Sequence, residues 1–247
     1  MEVSCTGGLM AEQDVLYHEL LDAMQSGGCV LCRLARKASD RYLNALIYEG
    51  VIDVDIREKL RNARGPCYRH AWRIAHRRGS VLGISIVYRD VVNTLTKALE
   101  AQAATSPRLF GRTQVDLSRQ LTPSVDCPAC LLEGEATRRF AKTLLKHLGT
   151  PPFRVSADGM AQRYVDAGGL CLPHFQLVLS HAGQGAANVL AGWQAAAWRH
   201  LRDDLDELIR KHDYRFRHEP VTESEANSWE RAVAAVVGDV EPITSDA

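Results

Sequence analysis

Cys29-Val30-Leu31-Cys32 begins the motif from which the fold can be predicted. Its third cysteine, Cys67, comes 35 positions after Cys32, within Gly65-Pro66-Cys67-Tyr68-Arg69-His70. The same order returns later in the chain, where Cys127-Pro128-Ala129-Cys130 is followed 41 positions on by Gly169-Leu170-Cys171-Leu172-Pro173-His174. A motif that recurs with its internal order intact indicates a duplication. The sequence therefore predicts two related copies, and of the seven cysteines Cys5 alone lies outside them.

Both copies are predicted to be helical, because apolar residues recur at three- and four-residue spacing after each CxxC pair. In the first copy the pattern predicts a helix ending at Gly50, a short helix capped by Asp53, a helix from Cys67 to about His76, and a longer helix after Ser80. The second copy is predicted to repeat this order with helices at about 128–148, 158–165, from 172 and up to about 212, and with a break at Pro151-Pro152. The predicted fold class is all-α, with two fused helical repeats that are each stapled by a Cys3His metal site.

The predicted domain boundaries follow the motifs: an N-terminal helix in 1–28, a first metal-binding repeat in 29–104, a connector in 105–126, a second metal-binding repeat in 127–212, and a C-terminal tail and helix in 213–247. The last helix is expected to begin near Asn227 with Glu230 completing a capping box. Its apolar face, with Trp229, Val233 and Val236, is expected to pack on the repeats. The segment His212–Glu219 alternates aromatic or histidine side chains with arginine, which favours an extended segment packed on the core over a binding segment.

Three thiols and one imidazole in each copy make the ligand set of a closed tetrahedral zinc site. The predicted ligands are Cys29, Cys32, Cys67 and His70 in the first set, and Cys127, Cys130, Cys171 and His174 in the second. The sequence thus predicts two zinc ions per chain; an iron–sulfur cluster or bare redox dithiols are the alternatives. A four-ligand zinc site has no open position for a substrate, so a structural or binding role is preferred over catalysis.

Composition limits the class of protein. With 247 residues, 46% of them hydrophobic, and 30 basic against 30 acidic residues, the chain is neither disordered nor a globally basic nucleic-acid binder. It has no apolar run long enough to span a bilayer and no recognisable signal peptide, so we expect a cytoplasmic location and no membrane partner. In that reducing compartment cysteines favour metal binding or redox chemistry over disulfides.

The segment 57–78 is locally basic and includes Tyr68 and Trp72, which could stack on bases. The competing interpretation is a helix face whose arginines pair with acidic residues of the other copy. We prefer the second interpretation, because the net charge is zero and no nucleic-acid reading motif is recognised.

The duplicated CxxC…GxCxxH arrangement resembles an uncharacterised prokaryotic protein family, a domain of unknown function. Further segments that carry the resemblance are Ile47-Tyr48-Glu49, the run from Gly83 to Asp90, and the tail from Lys211 to Glu219. The similarity covers most of residues 15–238. It implies a metal-binding helical protein and implies no reaction.

Overall fold

The computed structural model describes residues 6–104, 117–148 and 159–239, with side chains described from Val15 onward. Within these ranges the protein is all-α and contains no strand, so the predicted fold class is confirmed. The predicted break at Pro151-Pro152 and most of the connector 105–126 lie outside the described residues.

Twelve α-helices and one π-helical turn, Leu46–Gly50, are described. The helices are α1 (Thr6–Met24), α2 (Val30–Ala45), α3 (Val54–Asn62), α4 (Tyr68–Ala75), α5 (Val81–Ala103), α6 (Leu117–Leu121), α7 (Pro128–Leu148), α8 (Met160–Asp166), α9 (Leu172–Ser180), α10 (Gln184–Lys211), α11 (Glu223–Ala226) and α12 (Ser228–Val237). The predicted helices of both copies are all present. The predicted cap of α3 is present as well, since the Asp53 carboxylate accepts hydrogen bonds from the backbone N–H groups of Asp55 and Ile56.

The chain divides into two compact units. The outer unit combines residues 1–35 with residues 136–247, and the inner unit comprises residues 36–135. The boundaries fall inside α2 and α7. The compact units therefore cut across the predicted repeats 29–104 and 127–212, because each unit takes part of both copies. The duplication itself stays a prediction.

The inner unit is built around a core in which α5 contacts α3 and the π-helical turn. Its buried residues are Leu43, Leu46, Ile47, Val51, Leu60, Ile74, Val87 and Ala129. Gly83 permits the close approach of α5, since a Cβ atom at this position would lie 2.4 Å from the carbonyl oxygen of Ile47. Any larger residue would collide with backbone there.

The outer unit is organised by α10, the longest helix, which contacts α8, α11 and α12. Helix α8 also contacts α1, and α9 contacts α12. The largest fully buried side chains of the outer unit include Leu20, Phe140, Leu144 and Tyr164. These contacts place the start of α9, with Cys171 at its N-cap, against the body of the outer unit.

The C-terminal region departs from three predictions. The capping box is formed by Thr222 and Glu225 at the start of α11, whereas Asn227 makes no side-chain cap for α12. The segment 212–219 forms turns and is not extended. The side chains of Trp229, Val233, Val236 and Val237 are all more than half exposed, so this apolar face is not buried, although α12 itself packs on α9 and α10 as expected. The small Ser228 is the buried residue of α12 instead, because small side chains let it approach α9 and α10.

Candidate metal centres

The described residues contain two clusters of three cysteines and one histidine. We call Cys29, Cys32, Cys171 and His174 the outer centre, and Cys67, His70, Cys127 and Cys130 the inner centre. In each centre the four candidate ligand atoms all lie within 4.8 Å of one another. All eight residues predicted from the sequence are therefore brought into two Cys3His groups.

The predicted pairing of these residues is wrong. We expected each copy to supply a complete set, Cys29 and Cys32 with Cys67 and His70 in the first. Each CxxC pair instead meets the CxxH pair of the other copy. The reason is the division of the chain, since the start of α2 shares the outer unit with α9 and the start of α7 shares the inner unit with α4.

The third cysteine and the histidine of each centre are positioned by a helix start. Cys67 and Cys171 are the N-cap residues of α4 and α9, with extended backbone, and each histidine follows one turn later on the same helix face. Two residues before each N-cap the backbone turns through a glycine in the left-handed region, Gly65 at φ +86° and Gly169 at φ +78°. Because glycine takes a positive φ with little strain, these two residues permit the tight turn before each third cysteine.

The turn before Cys171 is held by Gln194 of α10, a buried residue that the sequence analysis did not identify. Its side-chain amide donates to the carbonyl of Leu170 at 3.1 Å and accepts from the Leu170 N–H at 3.0 Å. The hydroxyl of Tyr164 donates to the same amide oxygen. Because both backbone groups of Leu170 are paired with one side chain, the residue before the ligand has a defined position.

The separations in both centres fit the edges of a small tetrahedron. Zinc–ligand bonds of about 2.3 Å to sulfur and about 2.0–2.1 Å to nitrogen place tetrahedral ligands about 3.8 Å apart for two sulfurs and about 3.6 Å apart for sulfur and nitrogen. The sulfurs of Cys32 and Cys171 are 3.7 Å apart, and those of Cys67 and Cys130 are 3.5 Å apart. The sulfur-to-nitrogen distances run from 3.2 Å between Cys171 and His174 to 3.6 Å between Cys127 and His70. These distances agree with the edges of a tetrahedron around one ion, and the remaining donor pairs lie within 4.8 Å of one another.

The histidine of each centre presents Nδ1 to the three sulfurs. His70 Nδ1 is 3.3 Å from Cys67 Sγ and 3.4 Å from Cys130 Sγ. His174 Nδ1 is 3.4 Å from Cys29 Sγ and 3.3 Å from Cys32 Sγ. An ion in either centre would therefore be bound through Nδ1, which leaves Nε2 to face away from the metal.

Proximity shifts the protonation of the inner centre. Burial opposes ionisation of Cys127, but hydrogen bonds from His70 and from backbone N–H groups outweigh it and lower the pKa of this thiol to about 6. Burial also opposes protonation of His70, yet its hydrogen bonds with Cys127 and Glu133 raise the histidine pKa to about 10. Burial and the neighbouring Cys67 raise the pKa of Cys130 to about 12. These shifts favour a thiolate on Cys127 beside a protonated His70.

Contacts within the outer centre also shift the pKa values of its thiols and its histidine. Hydrogen bonds with Cys171 and Cys29 lower the pKa of Cys32 far below the usual thiol range, and contacts with Cys171 and Cys32 raise the pKa of Cys29 well above it. Burial disfavours a charged His174, but its contacts with Cys171 and Cys32 raise the histidine pKa to about 9. These shifts likewise favour a thiolate on Cys32 beside a protonated His174.

A carboxylate contacts the histidine of the inner centre on the side away from the sulfurs. Glu133 Oε1 lies 3.0 Å from His70 Nε2 and also accepts a hydrogen bond from Ser39 Oγ at 2.7 Å. Glu133 pairs with Arg69, and these contacts lower the carboxyl pKa to about 2 although burial raises it. Glu133 is not among the residues that the sequence predicted. The available signal was its place three residues after Cys130, one turn along α7.

The arginines of the basic segment 57–78 are largely paired within the inner unit. Arg57 and Arg61 both contact Asp90 at 3.1 and 2.8 Å, and Arg77 pairs with Asp40. The predicted pairing of these arginines with carboxylates is confirmed, but Asp40 and Asp90 belong to the same copy as the arginines. Glu133, which pairs with Arg69, is a partner from the other copy, as predicted. Most of these guanidinium groups are therefore already neutralised by carboxylates, which weakens the case for nucleic-acid binding.

None of the described helices is both long and apolar enough to cross a membrane.

The fold and the two centres define an all-helical protein with a pair of Cys3His groups. The chain belongs to a family of unknown function, DUF6062, whose model matches residues 12–242. This match confirms the resemblance to such a family that the duplicated motif indicated.

One curated relative is similar over nearly its whole length. It is the "Uncharacterized 23.9 kDa protein in xynA 3'region" of Caldicellulosiruptor sp. (strain Rt8B.4), 23% identical over 220 residues that cover 89% of this chain and 99% of the relative. No solved structure matches the chain.

Proposed function

We propose that each centre binds one zinc ion and that the two ions have a structural role, each holding together one compact unit. The observation that supports this proposal most strongly is the donor spacing, because in each centre three sulfurs and one imidazole nitrogen converge within 4.8 Å. Four protein ligands complete a tetrahedral zinc shell and leave no position for a substrate.

The same spacing favours a mononuclear ion over the iron–sulfur alternative. In a cluster of two or four irons, ligands on different iron atoms stand further apart than ligands of one ion, whereas in each centre all four donor atoms lie within 4.8 Å of one another. Two sulfurs at 3.5 Å and at 3.7 Å in the two centres fit ligands of a single ion. Zinc is the metal we propose, since tetrahedral sites of sulfur and nitrogen suit it.

The structural role rests on which segments the centres join. In the outer centre Cys32 and Cys171 are separated by 138 residues, and in the inner centre His70 and Cys127 are separated by 56. A metal that links such distant segments contributes its binding free energy to folding. The role requires reduced thiols, which agrees with the predicted cytoplasmic location.

Elemental analysis with a visible absorption spectrum, on protein purified anaerobically, tests this proposal. We expect about two zinc ions per chain in a colourless protein, and unchanged content in a Cys5→Ser control. A brown protein that contains iron and acid-labile sulfide would favour the cluster. A metal-free protein whose CxxC pairs form reversible disulfides would favour a dithiol redox protein.

A further inference from the structure

The two centres have the same types of candidate ligand, but they differ in the residue that contacts the histidine on the side away from the sulfurs. His70 is fully buried, with Nδ1 facing three sulfurs and Nε2 3.0 Å from Glu133 Oε1. An ion bound through Nδ1 leaves the Nε2–H group to donate to this carboxylate. Such an outer partner fixes the tautomer and orientation of a ligating histidine and increases its basicity.

Glu133 is itself held in place by the inner unit. Ser39 of α2 donates to Oε1 at 2.7 Å, Arg73 of α4 lies 3.5 Å from the same oxygen, and Arg69 pairs with the second oxygen. Three thiolates around one divalent cation leave a charge of about −1, to which Glu133 adds another. Arg69 offsets this charge, and Arg73 offsets part of it because Arg73 also pairs with Asp40 at 2.7 Å.

The outer centre has apolar residues at the equivalent positions of its motifs. Three residues after the CxxC pair, Ala35 stands where the other copy has Glu133. After the third cysteine, Pro173 and Leu177 stand at the offsets of Arg69 and Arg73. Among the residues that the structure describes, no carboxylate contacts His174, whose side chain is partly exposed. The carboxylate and the two arginines are therefore absent from the equivalent positions, whereas the hydroxyl of Ser39 has a counterpart in Thr137.

We propose that Glu133 is a positioning residue that makes the inner centre bind its metal more tightly than the outer centre, so that the outer centre is the one that exchanges metal. This inference rests on the proposed function, because it requires both centres to bind an ion. Loss of an outer partner of a ligating histidine typically weakens metal binding about 10- to 100-fold. We expect a change of that size when Glu133 is replaced.

The test separates the centres before it removes the carboxylate. Cys171→Ser leaves the inner centre as the complete site, and Cys67→Ser leaves the outer one. Glu133→Gln is then introduced into each background, with Glu135→Gln, an exposed neighbour on α7, as the matched control. Zinc affinity is measured by equilibrium competition with a chromophoric chelator, and Co²⁺ absorption spectra report the geometry around the ion.

In the Cys171→Ser background we expect Glu133→Gln to weaken zinc binding 10- to 100-fold and to shift the Co²⁺ spectrum. The control should change neither, and in the Cys67→Ser background Glu133→Gln should leave the affinity unchanged. A change of less than twofold in the Cys171→Ser background, or an equal loss in both backgrounds, would overturn the proposal.

The wild-type protein provides a second measurement that needs no variant. As a chelator is increased at equilibrium, brief alkylation followed by mass spectrometry should label Cys29, Cys32 and Cys171 before Cys67, Cys127 and Cys130. Simultaneous labelling of both groups, or the reverse order, would overturn the inference while the proposed zinc binding still stands. A wild-type protein that binds no metal would instead overturn the proposed function and this inference with it.

Discussion

Replacing Gly169 by alanine should damage the outer centre through its neighbour Gln194. A Cβ atom at this position would lie 2.6 Å from Gln194 Nε2 and 2.9 Å from its Oε1. Gln194 cannot swing aside freely, because it is 2% exposed and both of its amide atoms are bonded to the backbone of Leu170. The substitution must therefore displace a buried side chain or the turn that precedes Cys171.

The expected magnitude has two parts. An alanine with φ near +78° costs about 1–2 kcal/mol of backbone strain. Losing two hydrogen bonds of about 1 kcal/mol each, with the Leu170 groups left unpaired in a buried site, adds about 2–3 kcal/mol. We expect a total loss of about 3–5 kcal/mol in the free energy of unfolding.

Gly168→Ala is the matched control, because Gly168 also has a positive φ, +91°, but a Cβ atom there meets nothing within 4 Å. It should cost the backbone strain alone, about 1–2 kcal/mol. Urea unfolding with saturating zinc measures both variants, and zinc content should fall at the outer centre of Gly169→Ala only. In a Gln194→Ala background the cost of Gly169→Ala should approach that of the control. Equal costs for the two glycine variants in the wild-type background would refute the role assigned to Gln194.

Three further predictions concern other parts of the molecule. Gly83→Ala should destabilise the protein by about 3 kcal/mol or more in urea unfolding, because its Cβ would meet the backbone oxygen of Ile47 at 2.4 Å; a loss below about 1 kcal/mol would contradict the close packing of α5. In thermal unfolding, Thr222→Ala should lower the free energy of unfolding by about 1 kcal/mol through loss of the capping box with Glu225, whereas Asn227→Ala should change it by close to nothing. The reverse order would place the capping box at the position predicted from the sequence. Metal affinity should fall as the pH is lowered from 8 to 6, because an ion displaces about three protons from each centre. The shifted pKa values of about 6 for Cys127 and about 10 for His70 move one of these protons from the thiol to the imidazole and leave the total unchanged. Calorimetry in buffers of different ionisation enthalpy counts the displaced protons, and zero proton release would contradict thiolate ligation.

Local features of the sequence were enough to predict most of the helices and all eight candidate ligands. Asp53 marks the start of α3 because its side chain caps the helix, and Gly65 and Gly169 mark the turns before Cys67 and Cys171 because only glycine takes a positive φ at little cost. These signals act over a few residues. They can therefore be read without knowing the tertiary structure.

The pairing of the ligands could not be predicted in this way. Spacing within each copy favours loops of 34 and 40 residues over the observed separations of 138 and 56. Because the entropy of loop closure grows only with the logarithm of length, this preference amounts to about 1–2 kcal/mol. Packing of the helices in each compact unit outweighs so small a term.

The residues that position the candidate ligands could not be predicted from the sequence either, because their partners come from distant segments. Gln194 acts on a turn 24 positions earlier, and Glu133 acts on a histidine 63 positions earlier. Neither contact leaves a periodic pattern in the sequence. The apolar face of α12 was misjudged for a related reason, since Trp229 and Val233 have the spacing of a buried face but lie on the exposed side of the helix.

The most direct test of the account is the zinc content of two double variants, Cys29→Ser with Cys171→Ser and Cys29→Ser with Cys67→Ser. The structure assigns the first pair to one centre and the second pair to different centres. We predict that the first variant retains about one zinc ion per chain and that the second retains none. Zinc retained by the second variant and lost by the first would show that each copy supplies its own complete ligand set, and would contradict the account.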